Sequence, residues 1–439
     1  MATNHKRTLS HDVPRAAAAT TILLCVTMLI MTGPGLRRRG QSLGTSASVM
    51  ASPGQVLSPP LPAPTGKVTR VATEPQLQSA VRNLASDTTI VVAPGSYVLS
   101  GMLSISGRLR NVGIRGATNN RDDVVLIGPG MTQKNFGGAP SGIWTGNGVQ
   151  GVTIANLTIR DFYQHPIIFD AGTQSPLVHN VHLVNAGQQF IKSNPDGAGG
   201  GVNNGIVEYS LIEYLTTAKD DYTNGVDVHT GANWIIRHNL FRNIVSPPGQ
   251  KLAGPAVLMW NHSRDTLTEG NTFLNCARGI SYGLIARDDG TDHSGGVIRN
   301  NFFFRAGNQP GDVGIEVADS PNTQVLNNTV FVSGTYRTPI EYRFPGAVGV
   351  VLTNNLLDGV ILIRDGAKGT ERTNLSGAAS TMFVDAAAGD LHLSAAATAA
   401  IDRGTVLKEV VDDWDGMRRP QGAGYDIGAD EYGAGSSGR

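Results

Sequence analysis

A short pattern of alternating apolar residues, broken by one polar residue, recurs through the middle of the chain. A typical copy reads VTIANLTI, in which an asparagine separates two apolar runs. The asparagines, with serine in one copy, are Asn156, Asn180, Ser210, Asn239, Asn271, Asn301, Asn328 and Asn355, at spacings of 24, 30, 29, 32, 30, 27 and 27 residues. Because no copy can bury its apolar face alone, successive copies must stack to form a continuous core.

This spacing predicts that each copy is one turn of a right-handed parallel β-helix built from three short strands. We place the asparagine at the bend between the second and third strands, because asparagine tolerates the left-handed conformation and its amide can hydrogen-bond to neighbouring copies. A leucine-rich repeat is the main alternative, but its period is shorter and its Leu/Asn consensus is missing here. The predicted fold class is therefore all-β, a three-strand solenoid with an asparagine ladder.

The segment TEPQLQSAVRNL, residues 73–84, predicts a short helix that caps the N-terminal end of the solenoid. Its apolar residues recur at helical spacing, Thr73 and Gln76 form a capping-box pattern, and Pro75 lies in the first turn. Such a cap is expected because a solenoid must cover the core at its ends.

The chain divides into four predicted segments. Residues 16–32 are uncharged and follow basic residues, so a signal peptide or membrane anchor is predicted over residues 1–34. Residues 35–66 are rich in Ser, Pro and Gly and predict a flexible linker. The right-handed parallel β-helix domain is predicted over residues 67–432, followed by a tail over residues 433–439. We expect a secreted or cell-envelope protein, periplasmic or extracellular, with membrane contact only through the N-terminal anchor.

The charge balance excludes some classes of partner. Lys and Arg together number 35, as do Asp and Glu, which gives a formal net charge of +0. This balance offers no electrostatic argument for binding nucleic acid or an anionic membrane surface. The two cysteines, Cys25 and Cys276, lie in unrelated segments and predict no disulfide framework. We expect a monomer with no nucleic-acid partner.

Three features of the chain resemble a known family. They are the segment TEPQLQSAVRNLASDTTIVVAPGSYVL, the asparagine-punctuated turns and the closing DIGADEYG. Together they are similar to the secreted bacterial right-handed β-helix proteins of the pectate-lyase-like superfamily, over residues 67–433. Members of that superfamily include polysaccharide lyases, glycoside hydrolases, sugar epimerases and proteins with no known activity. The resemblance implies the fold, and fold alone does not select among these activities.

The segment KDDYTNGVDVHTG, residues 219–231, gathers the most reactive side chains. Asp227 lies twelve residues before Asn239, which places GVDVH on the first strand of its turn. The valines of this strand then face the core, so Asp227 and His229 face outward together. FIKSN places Lys192 on the same outer face, one turn earlier. We predict that these three outward side chains are catalytic.

Further polar and aromatic residues map near this outer face. Glu316 lies twelve residues before Asn328, at the same offset from its asparagine as in the catalytic strand. Aromatic rings stack on sugars and Arg pairs with uronate carboxylates, so the face suits an acidic polysaccharide. The residues predicted to bind this substrate are Trp260, His262, Tyr282, Glu316 and Arg343.

The leading hypothesis is β-elimination on a uronate polymer, catalysed by a polysaccharide lyase. This reaction needs a base for the proton next to the carboxylate and a cation that stabilises the resulting enolate. Lys192 or His229 would be the base. Arg278 or Arg343 would be the neutralising cation, and we include Arg278 among the predicted catalytic residues.

Other functions stay open. C5-epimerisation uses the same proton abstraction, and Asp227 and His229 resemble half of the Asp-Pro-His-Asp segment of alginate epimerases. Hydrolysis by paired carboxylates would use Asp220 and Asp221, which resemble the polygalacturonase acids. The Asn-Thr-Asp and Gly-His-Gly segments of that family are absent, so hydrolysis ranks below the other two reactions. A non-catalytic glycan-binding protein or a structural cell-surface protein would use the outer face only for docking.

A Ca²⁺ cofactor is also predicted. Asp220 and Asp221 offer hard oxygen ligands of the kind that Ca²⁺ prefers. Asp288, Asp289 and Asp292 in the segment RDDGTDH form a second candidate set, although their spacing does not match an EF-hand loop.

Overall fold

The computed structural model describes residues 57–433, so the predicted signal peptide or anchor over residues 1–34 lies outside the described residues. Most strands belong to three parallel stacks, and the chain visits the three stacks in turn before it begins the next coil. The prediction of an all-β parallel β-helix is confirmed by this strand pairing.

The first sheet carries the outer face discussed above. Its ten strands are β4 (Gly101–Ser106), β7 (Gly138–Gly146), β9 (Ile167–Asp170), β11 (Ile191–Asn194), β14 (Val226–His229), β17 (Val257–Trp260), β21 (Ile280–Tyr282), β25 (Ile315–Ala318), β28 (Ile340–Arg343) and β31 (Ile361–Arg364).

The second and third sheets share two long strands that run through both. The second sheet contains β1 (Lys67–Val71), β2 (Thr88–Val92), β5 (Arg110–Gly116), β8 (Gln150–Arg160), β10 (Leu177–Val184), β12 (Ile206–Glu208), β15 (Ile235–Arg237), β19 (Leu267–Glu269), β23 (Val297–Arg299), β26 (Gln324–Leu326), β29 (Val350–Thr353) and β32 (Gly369–Arg372). The third sheet contains β3 (Gly95–Val98), β6 (Val124–Ile127), the ends of β8 and β10, β13 (Leu211–Glu213), β16 (Leu240–Arg242), β20 (Thr272–Leu274), β24 (Phe302–Phe304), β27 (Thr329–Phe331) and β30 (Leu356–Leu357).

The remaining elements are short. They are the helix α1 (Glu74–Arg82), the parallel pair β18 (Ser263–Arg264) and β22 (His293–Ser294), the antiparallel pair β33 (Phe383–Asp385) and β34 (Asp390–Leu393), and single 3-10 turns at Arg121–Asp123, Ser380–Met382 and Ala386–Ala388.

The asparagine ladder runs along the bend between the second and third sheets, as predicted. The side-chain oxygen of Asn271 accepts the backbone N–H of Asn239 at 3.0 Å, and its amide nitrogen donates to the oxygen of Asn301 at 3.0 Å. The pattern continues through Asn328 and Asn355. It ends on Asn374, a rung that the repeat did not reveal because it follows Asn355 by only 19 residues. Each rung therefore satisfies buried polar groups of its neighbours.

The left-handed bend is placed differently from the prediction along most of the ladder. Asn156 and Asn180 have positive φ, as expected. From Tyr209 onward the residue before the ladder position is left-handed instead, as His238, Gly270 and Asn300 show. The ladder asparagine itself is then free to point its amide along the stack, so its hydrogen bonds explain its presence better than its φ preference.

The core is an apolar column along the axis of the solenoid. Phe241, Phe273 and Phe303 occupy equivalent places in successive turns, with ring centroids 4.9 and 5.9 Å apart. In the first sheet Val226 and Val228 are fully buried, which confirms that the valines of β14 face inward. Stacked side chains of this kind fill the narrow interior at every turn.

The predicted capping helix is present as α1. Thr73 is its N-cap and its hydroxyl accepts the backbone N–H of Gln76 at 3.4 Å. The Gln76 side chain reaches back to the N–H of Ala72 at 2.9 Å. Leu77 of this helix is fully buried, so the helix covers the core at the first turn.

The C-terminal segment, residues 380–433, covers the outer face of the third sheet. Phe331 on that face lies 5.2 Å from Phe383, and Phe302 lies 4.9 Å from Trp414, measured between ring centroids. Leu391 and Leu393 of β34 are buried in the same cluster. The loop-like end of the chain thus forms a second, smaller apolar core outside the solenoid.

Part of the predicted linker contacts the solenoid. The Ser58 hydroxyl lies 2.8 Å from Nε2 of His179, and the carbonyl of Pro62 accepts from Arg115 at 2.9 Å. The first strand begins at Lys67, the predicted start of the domain. Among residues 57–433, none of the helices has both the length and the apolar character that crossing a bilayer requires.

We predict that Asn271→Ala lowers the free energy of unfolding by about 2–4 kcal/mol, because it leaves the N–H of Asn239 and the carbonyl of Ile236 buried without partners. Urea denaturation followed by far-UV circular dichroism measures this change. Gln324→Ala, a substitution on the partly exposed face of β26, is the matched control and should change stability by less than about 0.5 kcal/mol. Equal effects of the two substitutions would contradict a stabilising role for the ladder.

Candidate functional site

The outward side chains of the first sheet form two columns, because the strands pair in strict register. One column contains Lys192, Asp227, Leu258, Ser281, Glu316 and Glu341. The second column pairs His229 with Trp260, and farther along the sheet pairs Arg343 with Arg364. Neighbouring members lie one strand spacing apart, about 4.8 Å. Lys192, Asp227 and His229 therefore meet on one face, as predicted.

The Lys192 side chain is hydrogen-bonded to both of the other two side chains. The Lys192 ammonium donates to Oδ2 of Asp227 at 2.7 Å and lies 2.8 Å from Nε2 of His229. The His229 Nε2 also lies 3.5 Å from Oδ1 of Asp227. The side chains of Lys192 and Asp227 are 9% and 4% exposed, whereas that of His229 is 18% exposed. Although they point outward, the two charges largely bury each other, and the imidazole is the most accessible group.

Trp260 completes this cluster, which we call the Lys192 cluster. Its indole N–H donates to Oδ1 of Asp227 at 2.9 Å, and its ring centroid lies 4.5 Å from that of His229. The register with His229 shows that Trp260 points outward. Asn261 and His262, which follow it directly, both have positive φ, so the strand ends in a left-handed turn.

His229 is neutral at ordinary pH. Burial and then the charge of Lys192 lower the pKa of His229 to about 4, against the opposing charge of Asp227. Because an ammonium can only donate, its hydrogen bond places the lone pair of the neutral imidazole on Nε2. The cluster therefore presents a neutral base beside a cation.

A groove of about 460 Å³ opens beside the end of β14. Its lining includes Gln174, Asn203, Thr230, His262 and Arg264, together with glycines of the loop over residues 199–201. That loop belongs to the long glycine-rich connection after Lys192, and long loops on a rigid scaffold often frame a site. The groove is polar, its volume is in the range of ligand pockets, and Thr230, the residue after His229, lies in its lining.

Glu316 and Glu341 form a second cluster on the same face, three turns from Asp227. They are direct partners on adjacent strands, and Ser281 donates to Glu316 at 3.2 Å. Arg343 lies 3.6 Å from Glu316, and Arg364 lies 2.8 Å from Glu341. Burial and then the negative charge of Glu341 raise the pKa of Glu316 to about 7. Glu316 and Arg343 are thus close together, as the predicted substrate-binding face requires, and Glu341 is their partner.

The prediction that Arg278 acts with the Lys192 cluster is wrong. Arg278 precedes β21 and makes a two-pronged ion pair with Asp312, at 2.9 and 3.0 Å. Its electrostatic neighbours include Glu316 rather than Asp227. The physical reason is position: the residue lies before the strand starts, so the stacking that aligns strand residues does not carry it to the cluster.

The prediction that Tyr282 binds substrate is also wrong. Its side chain is fully buried, and its hydroxyl lies 2.9 Å from that of Thr268 and donates to the carbonyl of Thr266 at 3.0 Å. Tyr282 shares the inward parity of Ile280 on β21. His262, in contrast, lies on the surface beside the groove, where its Nε2 is 3.4 Å from Asp289.

Among residues 57–433, the structure brings no third metal-ligating side chain to Asp220 and Asp221. Asp220 instead caps a turn, accepting the N–H of Tyr222 at 3.0 Å, and lies 3.8 Å from the Lys219 ammonium. The oxygens of Asp292 are also engaged, because they accept the backbone N–H groups of Asn261, Leu284 and Ile285. Within residues 57–433, the one grouping of three suitable donors is at His392, Asp415 and Asp430.

Sequence reasoning missed two neighbours of the Lys192 cluster. His165 is buried near Lys192 and Asp227, with its Nδ1 2.9 Å from the carbonyl of Gln189. Trp144, two strands before Lys192, donates its indole N–H to Asp170 at 2.6 Å. The repeat pattern held no signal for His165, because it lies in a loop between strands. Trp144 was detectable in principle, since it occupies the same column as Lys192.

Comparison with known proteins gives distant structural resemblances only. No protein-family model matches the sequence, and no curated protein is significantly similar to it. The surface adhesin PfbA of Streptococcus pneumoniae is 14% identical, with 69% of this chain and 86% of the adhesin covered and a TM-score of 0.48. An alginate lyase from Paenibacillus sp. str. FPU-7 is 13% identical, with 71% and 99% covered and a TM-score of 0.39.

The tailspike protein of E. coli bacteriophage HK620, solved in complex with a pentasaccharide, is 11% identical. The match covers 67% of this chain and 55% of the tailspike, with a TM-score of 0.48. At such identities and TM-scores the resemblances are distant, and the fold assignment rests on the strand pairing described above.

We predict that Lys192→Met raises the pKa of His229 by about 1–3, because the cation that opposes protonation is removed while Asp227 remains. NMR titration of histidine-labelled protein measures this value, which is about 4 in the unaltered chain. His293, buried in the core with a pKa of about 3, should be unaffected and serves as the internal control. An unchanged His229 would show that burial alone sets its pKa.

Proposed function

We propose that the protein cleaves an acidic polysaccharide by β-elimination at the Lys192 cluster. The observation that carries this proposal is the contact of 2.8 Å between the Lys192 ammonium and the neutral His229 imidazole. Elimination next to a uronate carboxylate requires a base and a cation within one sugar ring of each other. The cluster supplies both on an outer face beside an open groove.

Lys192 binds the uronate carboxylate in this mechanism. Asp227 accepts from one side of the ammonium, and the incoming carboxylate pairs with another of its three N–H bonds. The added negative charge offsets the positive charge that lowers the pKa of His229, so substrate binding itself makes the imidazole a better base. Pairing with a cation also makes the C5 proton more acidic, because it stabilises the enolate.

His229 then transfers one proton within the sugar. As the Lys192 ammonium turns its N–H from Nε2 to the uronate carboxylate, the Nε2 lone pair becomes available. Nε2 then takes the proton from C5, the C4–O4 bond breaks, and a C4–C5 double bond forms. The imidazolium returns that proton to the departing O4, which leaves the enzyme unchanged. The low pKa of His229 favours this second transfer, because an imidazolium of low pKa is a strong acid. Trp260, held by Asp227, offers a ring face on which a sugar can stack.

The same first step could instead invert C5. If the C4–O4 bond does not break and a proton returns from the opposite face, the product is the C5 epimer. A protein that only binds the glycan would use the same groove and Trp260 without proton transfer. The three functions therefore differ in product, which one screen distinguishes.

The test is to incubate the purified protein with pectate, alginate, hyaluronan, chondroitin and dermatan, with and without Ca²⁺, and to follow the ultraviolet absorbance of unsaturated uronate. We expect activity on one polymer, a loss of about 10²–10⁴-fold in His229→Gln, and a decline in rate as the pH falls toward the pKa of His229. Arg372→Ala, on the exposed strand β32 of the second sheet, is the control and should keep most activity.

Two other results would reject the elimination mechanism. Exchange of the C5 proton with solvent, without unsaturated product, would assign an epimerase. Retarded migration in a polymer-containing gel, with neither product nor exchange, would assign a glycan-binding protein, and Trp260→Ala should then weaken binding more than His229→Gln.

Glu316 and Glu341 favour a second candidate function, glycoside hydrolysis. With a pKa of about 7, Glu316 holds a proton for a leaving group, while Glu341, paired with Arg364, supplies the second carboxylate. This pair replaces Asp220 and Asp221 as the carboxylates that hydrolysis would use.

Hydrolysis by this pair predicts new reducing ends without unsaturation. Glu316→Gln should then reduce the rate by at least about 10²-fold, because the proton donor is lost, and His229→Gln should have little effect. The reverse pattern would place the chemistry at the Lys192 cluster. Reducing-end and ultraviolet assays on the same digest separate the two cases.

A further inference from the structure

A compact group of metal-type donors lies in the C-terminal segment, away from the outer face of the first sheet. One donor atom each from His392, Asp415 and Asp430 lies within 4.8 Å of the other two. The Nε2 of His392 is 3.3 Å from Oδ1 of Asp415, close to the separation of two ligands on a tetrahedral ion with bonds of about 2.0–2.1 Å. The three residues come from β34 and from two separate turns, so the fold gathers them.

The third carboxylate supplies independent evidence for a bound ligand. Asp430 is 1% exposed, and its Oδ2 accepts the N–H of Leu393 at 2.7 Å. Its Oδ1 is buried and has no hydrogen-bond partner. Buried carboxylate oxygens are nearly always paired, because an unpaired one has lost its hydration without replacement. Oδ1 is therefore the atom that Asp430 offers to the group.

The other ring nitrogen of His392 is fixed in the manner of a metal ligand. Its Nδ1 lies 2.5 Å from Oδ1 of Asp390, which also accepts the backbone N–H of His392. A carboxylate on Nδ1 leaves the Nε2 lone pair directed at Asp415 and Asp430. Metal-ligating histidines almost always donate their other ring N–H to a carboxylate, a backbone carbonyl or water, and Asp390 fits this role.

The carboxylates around His392 also favour the binding of a cation. Asp390, Asp415 and Asp430 lie around the single imidazole of His392, and within residues 57–433 neither Asp390 nor Asp430 forms an ion pair with Lys or Arg. Buried carboxylates without a counter-charge are costly, and a divalent ion is the usual solution.

His182 provides the contrast within the same chain. It also lies between two carboxylates, Glu213 at 2.8 Å and Asp122 at 3.3 Å. There Arg242 neutralises Glu213, and water can solvate the Asp122 side chain, which is 68% exposed. In the His392 group, in contrast, Oδ1 of Asp430 is buried without a hydrogen-bond partner, and no arginine balances it as Arg242 balances Glu213.

We propose that His392, Asp415 and Asp430 bind a divalent transition-metal ion, Zn²⁺ in the first instance, with Asp390 as the positioning residue. One imidazole and two carboxylates suit Zn²⁺, whereas Ca²⁺ prefers an all-oxygen set. The ion joins β34 to the turns over residues 412–431, and it lies beside Phe302 and Trp414. Its role is to hold the C-terminal segment against the third sheet.

The experiment uses the full chain, stripped with a chelator and titrated with ZnCl₂, CoCl₂ or CaCl₂. We expect one equivalent of Zn²⁺ to bind and to raise the melting temperature, and Co²⁺ to give the intense visible bands of a low-symmetry site. His392→Gln and Asp430→Asn should abolish binding. Asp390→Asn should weaken it by about 10–100-fold, and His182→Gln, the matched control, should not affect it.

Three outcomes would overturn the proposal. The stripped wild-type chain binding no Zn²⁺ or Co²⁺ would identify His392 as an imidazolium that bridges Asp390 and Asp415. Binding that survives both His392→Gln and Asp430→Asn would place the ion elsewhere. Binding of Ca²⁺ but not of Zn²⁺ or Co²⁺ would contradict the proposal that the His392 imidazole is a ligand. The wild-type titrations do not depend on whether any variant folds, and none of these results depends on the proposed polysaccharide cleavage.

Discussion

The structure depends on keeping every turn of the solenoid in register with the next. The asparagine ladder does this at the bend, where Asn239, Asn271 and Asn301 exchange side-chain and backbone hydrogen bonds from turn to turn. Because side chains alternate with a period of two, a slip of one residue would move every apolar side chain of a strand outward. Register at the bend therefore decides which residues form the core and which form the outer columns of the first sheet.

Those columns determine the electrostatics of the outer face. Side chains at paired positions of neighbouring strands lie about 4.8 Å apart, so each charge is strongly affected by the residue on the next turn. Burial and then the cation of the Lys192–Asp227 ion pair lower the pKa of His229 and keep it neutral. At Glu316, burial and then the like charge of Glu341 raise the pKa and favour the protonated acid. One scaffold thus generates a neutral base in one place and a neutral acid three turns away.

The sequence repeat predicted the positions of the strand residues, which the stacking of turns fixes, and little about the connections between strands. An offset of twelve residues from the ladder was enough to place Asp227 and Glu316 on one face, since strand positions recur in every turn. Tyr282 could have been assigned correctly, because it shares the parity of Ile280, which faces the core. Arg278 could not, because it lies in a connection whose path the repeat does not fix. The repeat also could not predict which residue of the bend is left-handed. That residue is the ladder residue itself at Asn180, but in later turns it is the residue that precedes the ladder position.

The C-terminal segment lies wholly outside the repeat, and it is stabilised by different contacts from those of the stacked turns. It covers an apolar sheet face with only short elements, so many of its turns are buried rather than solvated. Carboxylates hold these turns, as Asp413 does for the N–H groups of Met417 and Glu431. Burial then concentrates negative charge, and one buried pair, Arg419 with Glu431, is already internally balanced. A segment stabilised by carboxylate-capped turns gathers several acidic side chains around the one imidazole of His392, and this is the physical reason to look for a cation there.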